Sequence, residues 1–423
     1  MRRIGVLTTF YTWDKAYSLT SVVENQLIAL VKYGYNPVLL VHDNFKGEEA
    51  LPVGVEVRKV VPRFLLEDYS ANQPLKDDFW QQVETAQKSF EENLKDLDAV
   101  FTHDIIFQGW FLPYNVAIRR VAEKIPSIHW FHWIHSAPSP RPFVDYPYDC
   151  RYTMMPNSKL IYMNHTDTLR LAEMYSGTLD DVRVVFNPLD LRSYFNFHPF
   201  VGKLIEKYKL FDADIVDVYP VSSTRFDGKQ VDKVIKLLAK IKQQGRSVRF
   251  VCPNAHANAE REKETIRQMI KFGLSQGLSE NEMIFTSFEG KEWEHGVPHE
   301  IVKDLFQLSN LFIFPTQSEN CPLILLEAVA SKCLAVLNED FPALKDFFGK
   351  DALYFRFGSL IQRTNYENED HWYSDVAKII IGELNKNRPL NAFTTLKQKF
   401  NNDWIFKNML EPILYENRPE TDK

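Results

Sequence analysis

The stretch that most constrains the fold is Leu311–Leu337, which reads LFIFPTQSENCPLILLEAVASKCLAVL. Its first apolar run, Leu311–Phe314, is typical of a buried parallel strand, and a polar loop follows it. Pro322 then stands where the first turn of a helix would begin, a position that tolerates proline because its N–H would have no partner in the helix. A second apolar run, Leu334–Leu337, predicts the next strand. The stretch therefore predicts a strand–loop–helix–strand unit with the helix N-terminus at the edge of a sheet.

Two carboxylates mark this unit, Glu319 in the loop and Glu327 within the helix. Amides near a helix N-terminus carry partial positive charge and suit an anion such as a diphosphate. A carboxylate on the same helix can accept hydrogen bonds from a ribose diol, and one in the loop can accept them from sugar hydroxyls. The unit could therefore hold all three parts of a nucleotide-sugar. Two acids at arbitrary spacing would instead indicate an amphipathic helix with a solvated polar face.

Strand and helix patterns alternate along the rest of the chain, which indicates doubly wound parallel sheets. The first series begins with the strand pattern Arg3–Thr9 and ends near Asn187–Asp190. A second series starts with the strand pattern Ile215–Val221 and runs into the unit that contains Glu319. A chain of 423 residues has room for two domains of ordinary size. The sequence therefore predicts an α/β fold with two Rossmann-like sheets, which bind ligands at the carboxyl ends of their strands.

The unit around Glu319 also resembles the E-x7-E signature of retaining GT-B glycosyltransferases, especially glycosyltransferase family 4. In that signature a proline-containing strand end, a first Glu, a short turn, a second Glu, Ala-x-Ala and a strand follow one another. Here they read FPTQSE, NCPLILL, EAVA and SKCLAVL. The chain departs from the family at Asn320–Pro322, where the turn is usually rich in Gly, and at Lys332, which replaces a usual Gly. The segments VRVVFNPLDLRSYF and FNNDWIFKNMLEPILY also resemble the family.

The resemblance implies a GT-B fold with the active site in the cleft between two Rossmann-like doubly wound domains. It implies an acceptor-side domain over residues 1–190, completed by a crossing helix at about 401–415, and a nucleotide-sugar-binding domain over residues 191–400. The donor would be a nucleotide diphosphate sugar, with UDP-sugar favoured over GDP-sugar and no further cofactor required. The residues expected to contact the donor are Arg225, Lys229, Glu319, Asn320, Cys321, Pro322, Leu323 and Glu327.

The segment Ser222–Lys229, SSTRFDGK, resembles the family's arginine–lysine pair, which grips the donor diphosphate. The resemblance assigns that part to Arg225 and Lys229. Two cations at a helix N-terminus would neutralise charge that develops on a departing nucleotide diphosphate. Arg can grip phosphate in a bidentate manner, whereas Lys acts as a point charge. The loop is one residue shorter than usual, so Lys233 is the substitute for Lys229, and a capped helix with a solvated basic end is the structural alternative.

The segment SIHWFHWIHS contains His129, His132 and His135. The family often has a His at the end of this strand that reaches the transferred sugar, and His132 is the best match; a His packed among Trp side chains is the alternative. No metal is predicted, because no carboxylate or Cys completes a ligand set at a recognised spacing. His103-Asp104 ends another strand, where a role toward the acceptor and a helix-capping Asp104 both remain open.

Composition limits the class of protein. The formal net charge of −6 argues against a chain dominated by nucleic-acid or anionic-lipid binding. No apolar run reaches the roughly 18 residues of a membrane span, and the N-terminus leads directly into a strand. The four cysteines show no C-x-x-C spacing, which is typical of a reduced compartment. We therefore expect a cytoplasmic protein without a transmembrane segment.

The acceptor is left open between small sugars, polysaccharides, proteins and hydroxymethylated pyrimidines in DNA. The loop Thr8–Tyr17 has four aromatic residues and no Gly, and Arg119, Arg120 and Lys124 form a basic cluster. Aromatic rings beside a basic patch could hold a base extruded from DNA. Residues 1–190 nevertheless contain 19 Lys and Arg against 24 Asp and Glu, which argues against both DNA and anionic lipid.

The predicted function is a retaining glycosyltransferase that moves a sugar from a nucleotide diphosphate sugar to an acceptor hydroxyl. In the mechanism that the resemblance implies, the acceptor attacks on the same face that the leaving group departs from, and a phosphate oxygen takes the acceptor proton. Glu319, Arg225, Lys229 and His132 are the residues expected to act in it, and a covalent intermediate on Glu319 is the less favoured variant. The rival interpretation is a catalytically inactive nucleotide-sugar-binding protein on the same fold.

Overall fold

The computed structural model describes residues 2–319, 322–360 and 369–416. The chain divides into two compact units: unit 1 is Met1–Asp190 with Phe400–Lys423, and unit 2 is Leu191–Lys399. Each unit is built around its own parallel β-sheet. None of the helices among the described residues is long and apolar enough to span a membrane.

Unit 1 alternates strands and helices in its first part. Its strands are β1 (Arg3–Leu7), β2 (Asn36–His42), β3 (Glu56–Val61), β4 (Ala99–His103), β5 (His129–Trp133), β6 (Ser158–Tyr162) and β7 (Val182–Val184). The helices between them are α1 (Ser18–Lys32), α2 (Phe79–Asn93), α3 (Leu112–Lys124) and α4 (Thr168–Met174). In the part of the chain that the structure describes, these strands form one seven-stranded parallel sheet with the order β3-β2-β1-β4-β5-β6-β7.

The sheet of unit 1 is covered on both faces, because successive side chains of a strand point to opposite sides. Leu40 belongs to a cluster that includes Phe90 of α2 and Ile118 of α3. Its neighbour Leu39 belongs to a second cluster that includes Leu27 of α1. The central strands therefore read as nearly continuous apolar runs, as expected for a parallel sheet between two helical layers.

Unit 2 repeats the alternation. Its strands are β8 (Ile215–Val218), β9 (Val221–Ser222), β10 (Val248–Cys252), β11 (Asn254–Ala255), β12 (Met283–Phe285), β13 (Leu311–Phe314), β14 (Leu334–Asn338) and β15 (Leu353–Phe355). Its helices are α5 (Leu191–Tyr194), α6 (Pro199–Tyr208), α7 (Val231–Gln243), α8 (Glu260–Ser275), α9 (His299–Leu308), α10 (Leu323–Ala330), α11 (Lys345–Phe348), α12 (Glu369–Lys386) and α13 (Arg388–Lys399). The described strands form a six-stranded parallel sheet, β12-β10-β8-β13-β14-β15, and a small pair, β11-β9.

A buried carboxyl group ties β13, the strand that leads to Glu319, into this sheet. Leu311 of β13 pairs with Asp217 of β8, and Oδ1 of Asp217 accepts a hydrogen bond of 2.9 Å from the backbone N–H of Ile313. Burial raises the pKa of Asp217 to about 8. The side chain is therefore mainly protonated at neutral pH, and it replaces one rung of the backbone ladder between the two strands.

The terminal segment belongs to unit 1. It consists of α14 (Asn402–Ile405), a π-helical turn at Phe406–Leu410 and α15 (Glu411–Glu416). Phe406 stacks on Tyr33 with 4.2 Å between ring centroids and an interplanar angle of 6°. Ile405 and Leu410 are buried in the same cluster as Leu27 of α1. The segment therefore completes one face of the unit 1 core.

The two doubly wound parallel sheets confirm the predicted α/β fold class. The strand Leu311–Phe314 is found at its predicted bounds, and β14 continues to Asn338, one residue further than predicted. The helix of this unit begins at Leu323, because Pro322 is extended (φ −76°, ψ 104°) and precedes the first turn instead of joining it.

Candidate functional site

An ion pair between a buried lysine and a partly exposed glutamate lies beyond the carboxyl ends of β8 and β13 in unit 2. Lys229 precedes α7 and is only 6% exposed. Its ammonium group contacts the carboxylate of Glu319 and lies 3.4 Å from Oγ1 of Thr316. The hydroxyl of Tyr219 donates a 2.9 Å hydrogen bond to the carbonyl oxygen of Lys229, which holds the backbone at this point. Two residues that the sequence analysis placed in different motifs are thus brought together.

The electrostatics of this pair suit an additional anion. Burial lowers the pKa of Lys229 to about 8, and the positive charge of Arg225 acts in the same direction. The carboxylate of Glu319 supplies the compensating negative charge. An ammonium group has three hydrogens to donate, and the contacts to Thr316 and Glu319 use two of them. The third has no acceptor among the described residues, so it can be donated to an incoming anion.

Arg225 provides a second cation close to the same loop. It ends a short 3-10 helix, Ser223–Arg225, in which the backbone N–H of Thr224 donates to the hydroxyl of Ser222 at 3.4 Å. The guanidinium is exposed and makes no hydrogen bond or ion pair with any described residue. An exposed guanidinium without a carboxylate partner keeps its full capacity for bidentate binding to a phosphate. Arg225 and Lys229 therefore differ in environment, although both were expected to grip a diphosphate.

Two buried amide side chains hold the loop that carries Glu319. Asn338, at the end of β14, donates hydrogen bonds to the carbonyl oxygens of Thr316 (3.0 Å) and Gly358 (2.7 Å). Gln230 donates to the carbonyl oxygens of Pro315 and Gly358. Both side chains are almost fully buried. The sequence analysis missed these residues; a polar Asn that closes an apolar strand and a Gln beside Lys229 were the signals that could have indicated them.

Lys233, the substitute for Lys229, has another role in the structure. Its ammonium group donates to the backbone carbonyl of Phe357. The side chain lies one turn further along α7 and is half-buried. The structure therefore brings Lys229, and not Lys233, to Glu319.

Glu327 lies on α10 and makes a contact that the sequence analysis did not anticipate. Its Oε1 is 2.9 Å from Nε2 of His299, the first residue of α9. The Glu327 side chain is 29% exposed and that of His299 is 74% exposed. The second carboxylate oxygen, Oε2, accepts no hydrogen bond from a described residue, so it remains open to a donor such as a ribose hydroxyl. His299 was missed because a single His at a helix start carries no pattern of its own.

The remaining predicted donor contacts surround α10. Pro322 is buried in front of the helix, whereas the side chain of Leu323 is 67% exposed. Asn320 and Cys321 lie outside the described residues. No group of three His, Cys, Asp or Glu side chains within the described part of the chain is placed to hold a metal ion.

In unit 1, His132 is a core residue. Its exposure is 0%, its Nδ1 lies 2.8 Å from Oγ1 of Thr102, and its ring stacks near Trp130. Burial lowers the pKa of His132 to about 3, with a smaller contribution from the charge of Arg119. Because side chains alternate along β5, His132 lies on the same face of the sheet as Trp130, and this face is covered. The ring thus presents no surface to a ligand, and its predicted contact with a sugar stays a prediction.

The carboxyl ends of β4 and β5 carry a different histidine pair. Nε2 of His103 lies 3.0 Å from Oε1 of Gln26, and Nδ1 of His103 lies 3.0 Å from Nε2 of His135. Because the Gln26 oxygen can only accept, His103 carries its proton on Nε2, and Nδ1 accepts from His135. Oδ1 of Asp104 accepts a 2.8 Å hydrogen bond from the backbone N–H of His135. His135 is half-buried, and its Nδ1 is left as the outer nitrogen of this chain of hydrogen bonds.

The basic residues that suggested a DNA acceptor, Arg119, Arg120 and Lys124, each contact other groups within unit 1. Arg119 donates hydrogen bonds to several backbone carbonyl oxygens, at distances that include 2.6 Å. Arg120 lies over the ring of Trp80, 5.4 Å from its centroid. Lys124 forms a 2.6 Å ion pair with Glu91. These contacts leave no continuous patch of uncompensated cations on α3.

The aromatic residues of the first loop divide into two groups. Phe10 and Trp13 are each 7% exposed and belong to the core. Tyr11 and Tyr17 are 64% and 51% exposed. Two of the four rings are therefore structural, and the two tyrosines are the rings that could contact a ligand.

Comparisons with known proteins give no family for this chain. No protein-family model and no curated protein match it. Among solved structures, Anabaena HepE in complex with UDP-glucose has 14% identity and a TM-score of 0.36, covering 98% of this chain and 100% of that one. Sucrose-phosphate synthase from Thermosynechococcus elongatus has 12% identity, a TM-score of 0.36 and 98% coverage of both chains. These scores are too low for the likeness to carry an argument about the function of this chain.

Proposed function

We propose that this protein is a glycosyltransferase that moves a sugar from a nucleotide diphosphate sugar to an acceptor hydroxyl. The observation that carries the proposal is the meeting of Lys229 and Glu319 at the carboxyl edge of the unit 2 sheet, with Arg225 nearby on the preceding turn. A buried ammonium with one free hydrogen and an exposed guanidinium suit a diphosphate. Glu319, held by the ammonium, suits the hydroxyl groups of the attached sugar.

The reaction needs charge stabilisation more than it needs a strong base. As the acceptor oxygen bonds to the anomeric carbon, the bond from that carbon to the diphosphate oxygen breaks, and the electron pair stays on the diphosphate. Arg225 and Lys229 would stabilise this developing charge. The acceptor proton passes to an oxygen of the departing diphosphate. Attack on the face that the leaving group departs from retains the anomeric configuration, as the resemblance to glycosyltransferase family 4 implies.

The environment of Glu319 favours an orienting role over a nucleophilic one. Its carboxylate contacts the Lys229 ammonium through Oε1, so that oxygen is already engaged. A covalent glycosyl intermediate on Glu319 therefore has less support than hydrogen bonding to the sugar. Glu327, with Oε2 open and Oε1 held by His299, would receive the ribose hydroxyls.

Within unit 1 we propose His135, in place of the buried His132, as the imidazole that contacts the acceptor. The support is its half-buried position and the hydrogen bond to His103, which fixes the orientation of its ring. UDP-sugar remains the favoured donor, and small sugars or polysaccharides are the favoured acceptors. A DNA acceptor is not proposed, because the cations of α3 are already paired or packed within the unit.

The rival function is a binding protein without turnover. The observation that favours it is that Glu319 already compensates the charge of Lys229, which would reduce the positive charge offered to a leaving group. The two functions differ in a direct assay. The full-length protein is incubated with a panel of UDP- and GDP-sugars, each with and without simple glycosides, and release of free nucleotide and transfer of label are followed. Transfer, or slow donor hydrolysis, supports the transferase; tight donor binding without either supports the binding protein.

A further inference from the structure

A chain of hydrogen bonds crosses the carboxyl edge of the unit 1 sheet, from Gln26 on α1 through His103 to His135. Gln26 is 6% exposed and His103 is 3% exposed, whereas His135 is half-buried at the outer end of the chain. Both ring nitrogens of His103 take part, each 3.0 Å from its partner, Oε1 of Gln26 or Nε2 of His135. The outer end of the chain is therefore governed by groups that lie behind it in the core.

The two imidazoles have the geometry of a directional hydrogen bond. Their centroids are 5.3 Å apart and their planes differ by 19°, so the bond between the nitrogens lies close to the plane of both rings. The lone pair of an imidazole nitrogen lies in that plane, and a hydrogen bond is strongest when it is nearly linear. His103 also packs against Trp133, with 5.4 Å between ring centroids. The orientation of the His135 ring is thus fixed from behind.

This arrangement determines which nitrogen of His135 carries the proton. Burial lowers the pKa of both His103 and His135, so each ring is neutral at neutral pH and carries one proton. The oxygen of Gln26 accepts the proton that His103 carries on Nε2, and Nδ1 of His103 accepts the proton that His135 carries on Nε2. Nδ1 of His135 is left with a lone pair, which can accept a hydrogen bond and cannot donate one.

The charge close to His135 reinforces this preference for a donor. Oδ1 of Asp104 accepts a 2.8 Å hydrogen bond from the backbone N–H of His135. No lysine or arginine among the described residues acts on Asp104 or on His135. A carboxyl group beside an imidazole lone pair attracts the hydrogen of a hydroxyl group and repels the oxygens of a phosphate.

We propose that the acceptor sugar donates a hydrogen bond from a free hydroxyl group to Nδ1 of His135, and that phosphorylated sugars are rejected there. This hydroxyl is not the attacking one, because the proton of the attacking group passes to the diphosphate. Gln26 and His103 are positioning residues, which give His135 the tautomer that accepts. The identity of the ligand rests on the proposed transferase function, whereas the tautomer can be measured without any reaction.

The tautomer is read from ¹⁵N spectra of the full-length protein at a pH of about 8, above the ordinary histidine pKa of about 6.5. A ring nitrogen that carries a proton and one that carries a lone pair have well-separated ¹⁵N shifts. The loss of signals in His135→Gln identifies those of His135. We expect the proton on Nε2 and none on Nδ1. A protonated Nδ1, or equal populations of the two tautomers, would overturn the proposal.

Two variants with opposite hydrogen-bonding groups test the role of Gln26. Gln26→Glu presents only an acceptor to Nε2 of His103 and should keep the proton of His135 on Nε2. Gln26→Lys introduces an ammonium group, which presents only donors, and should move that proton to Nδ1. Circular dichroism establishes that each variant is folded. The same ¹⁵N pattern in both folded variants would contradict the positioning role, and the spectrum of the unmodified protein is decisive even if a variant does not fold.

The ligand class is tested with glucose, mannose and galactose, each compared with its 1-phosphate and its 6-phosphate in the presence of UDP. A hydroxyl group that donates to Nδ1 of His135 should shift the ¹⁵N signal of that nitrogen. We expect at least one neutral sugar to do so at a concentration at least about tenfold lower than its phosphates, which would leave the nitrogen without a donor. No shift with any neutral sugar, or an equal effect of the phosphates, would overturn the proposal. A shift without transfer from any nucleotide-sugar would contradict the transferase function and not this contact.

Discussion

The carboxyl edges of the two sheets carry different kinds of chemistry. In unit 2 this edge presents ionic groups, the Lys229–Glu319 pair and the exposed Arg225. In unit 1 it presents two imidazoles, and burial lowers the pKa of both His103 and His135, so that the neutral forms predominate at neutral pH. The first edge suits a charged ligand, and the second suits neutral groups that exchange hydrogen bonds.

The difference arises although both units have the same doubly wound architecture. Unit 1 also has cations next to its sheet, but Arg119 donates hydrogen bonds to backbone carbonyl oxygens and Lys124 forms an ion pair with Glu91. In unit 2, Arg225 is left without such a partner among the described residues. A cation beside a sheet is therefore available to bind a ligand only where it is not already paired with another group of the protein.

Of the variants considered, Lys229→Met is expected to reduce turnover most, because it removes the buried positive charge from the carboxyl edge of the unit 2 sheet. Turnover of the donor should fall by about 10²–10³-fold, the range for loss of one preorganised group that stabilises transition-state charge. Lys233→Met is the matched control, since its ammonium group is directed to the carbonyl of Phe357. Release of UDP from UDP-glucose measures both. Equal losses in the two variants would mean that α7 matters only structurally.

Arg225→Ala should follow, with a loss in turnover that exceeds the loss in donor affinity. Leaving-group charge is largest in the transition state, so the guanidinium contributes most there. Loss of a hydrogen bond to a charged group costs about 1.5–3 kcal/mol, or about ten- to a hundredfold in rate. The kcat and the donor Kd from calorimetry separate the two effects. If only the Kd changes, Arg225 binds the donor but does not stabilise the leaving group in the transition state, and Lys229 alone would have that role.

The pH dependence tests the charge of Lys229 without removing its side chain. Its pKa in the folded protein is lowered to about 8, so the ammonium form is present below that pH and is lost as the pH rises through it. The kcat/KM, which reports the free enzyme, should therefore decline above pH of about 8. Lys229→Arg keeps its charge throughout this range and should remove the decline. A profile that is the same in both proteins would assign the alkaline limb to another group.

The smallest expected effect concerns the Glu327–His299 contact. Glu327→Ala should weaken nucleotide binding by about 1.5–3 kcal/mol, the cost of one charge-assisted hydrogen bond. His299→Ala leaves the carboxylate in place, and because His299 is largely exposed, the change should stay below about 1 kcal/mol. Calorimetric titration with UDP compares the two. Unchanged affinity in Glu327→Ala would remove that residue from the donor site.

Much of the fold could be predicted because its signals are local. The strands β1 and β8 begin at the predicted residues, Arg3 and Ile215, and β13 has its predicted bounds, since each is a short apolar run. The long helix α12 and the short strand β15 were not predicted. β15 lies at the edge of the sheet, and its three residues are all half-buried. Such a short edge strand has little apolar pattern by which it could be detected in the sequence.

The sequence identified most residue types of the candidate site, but it did not show which of these residues contact one another. The motif placed Glu319 after one strand and Arg225 after another, which the order of elements confirms. It assigned the second cation to Lys229 with Lys233 as the substitute, but only the fold shows which of them reaches Glu319, because a left-handed residue, Gln230 (φ 51°), turns the chain before α7. It also did not reveal Asn338, whose partners lie in distant loops.

What the sequence by itself determined is therefore local: the alternation of strands and helices, and the polar residues that follow β8 and β13. What only the tertiary structure decided is which of these groups are paired, buried or free. His132 is buried because β5 places it beside Trp130 under a helical layer, and Lys229 is compensated because Glu319 reaches it from another loop. Burial and ion pairing depend on neighbours far away in the chain, and no local pattern contains them.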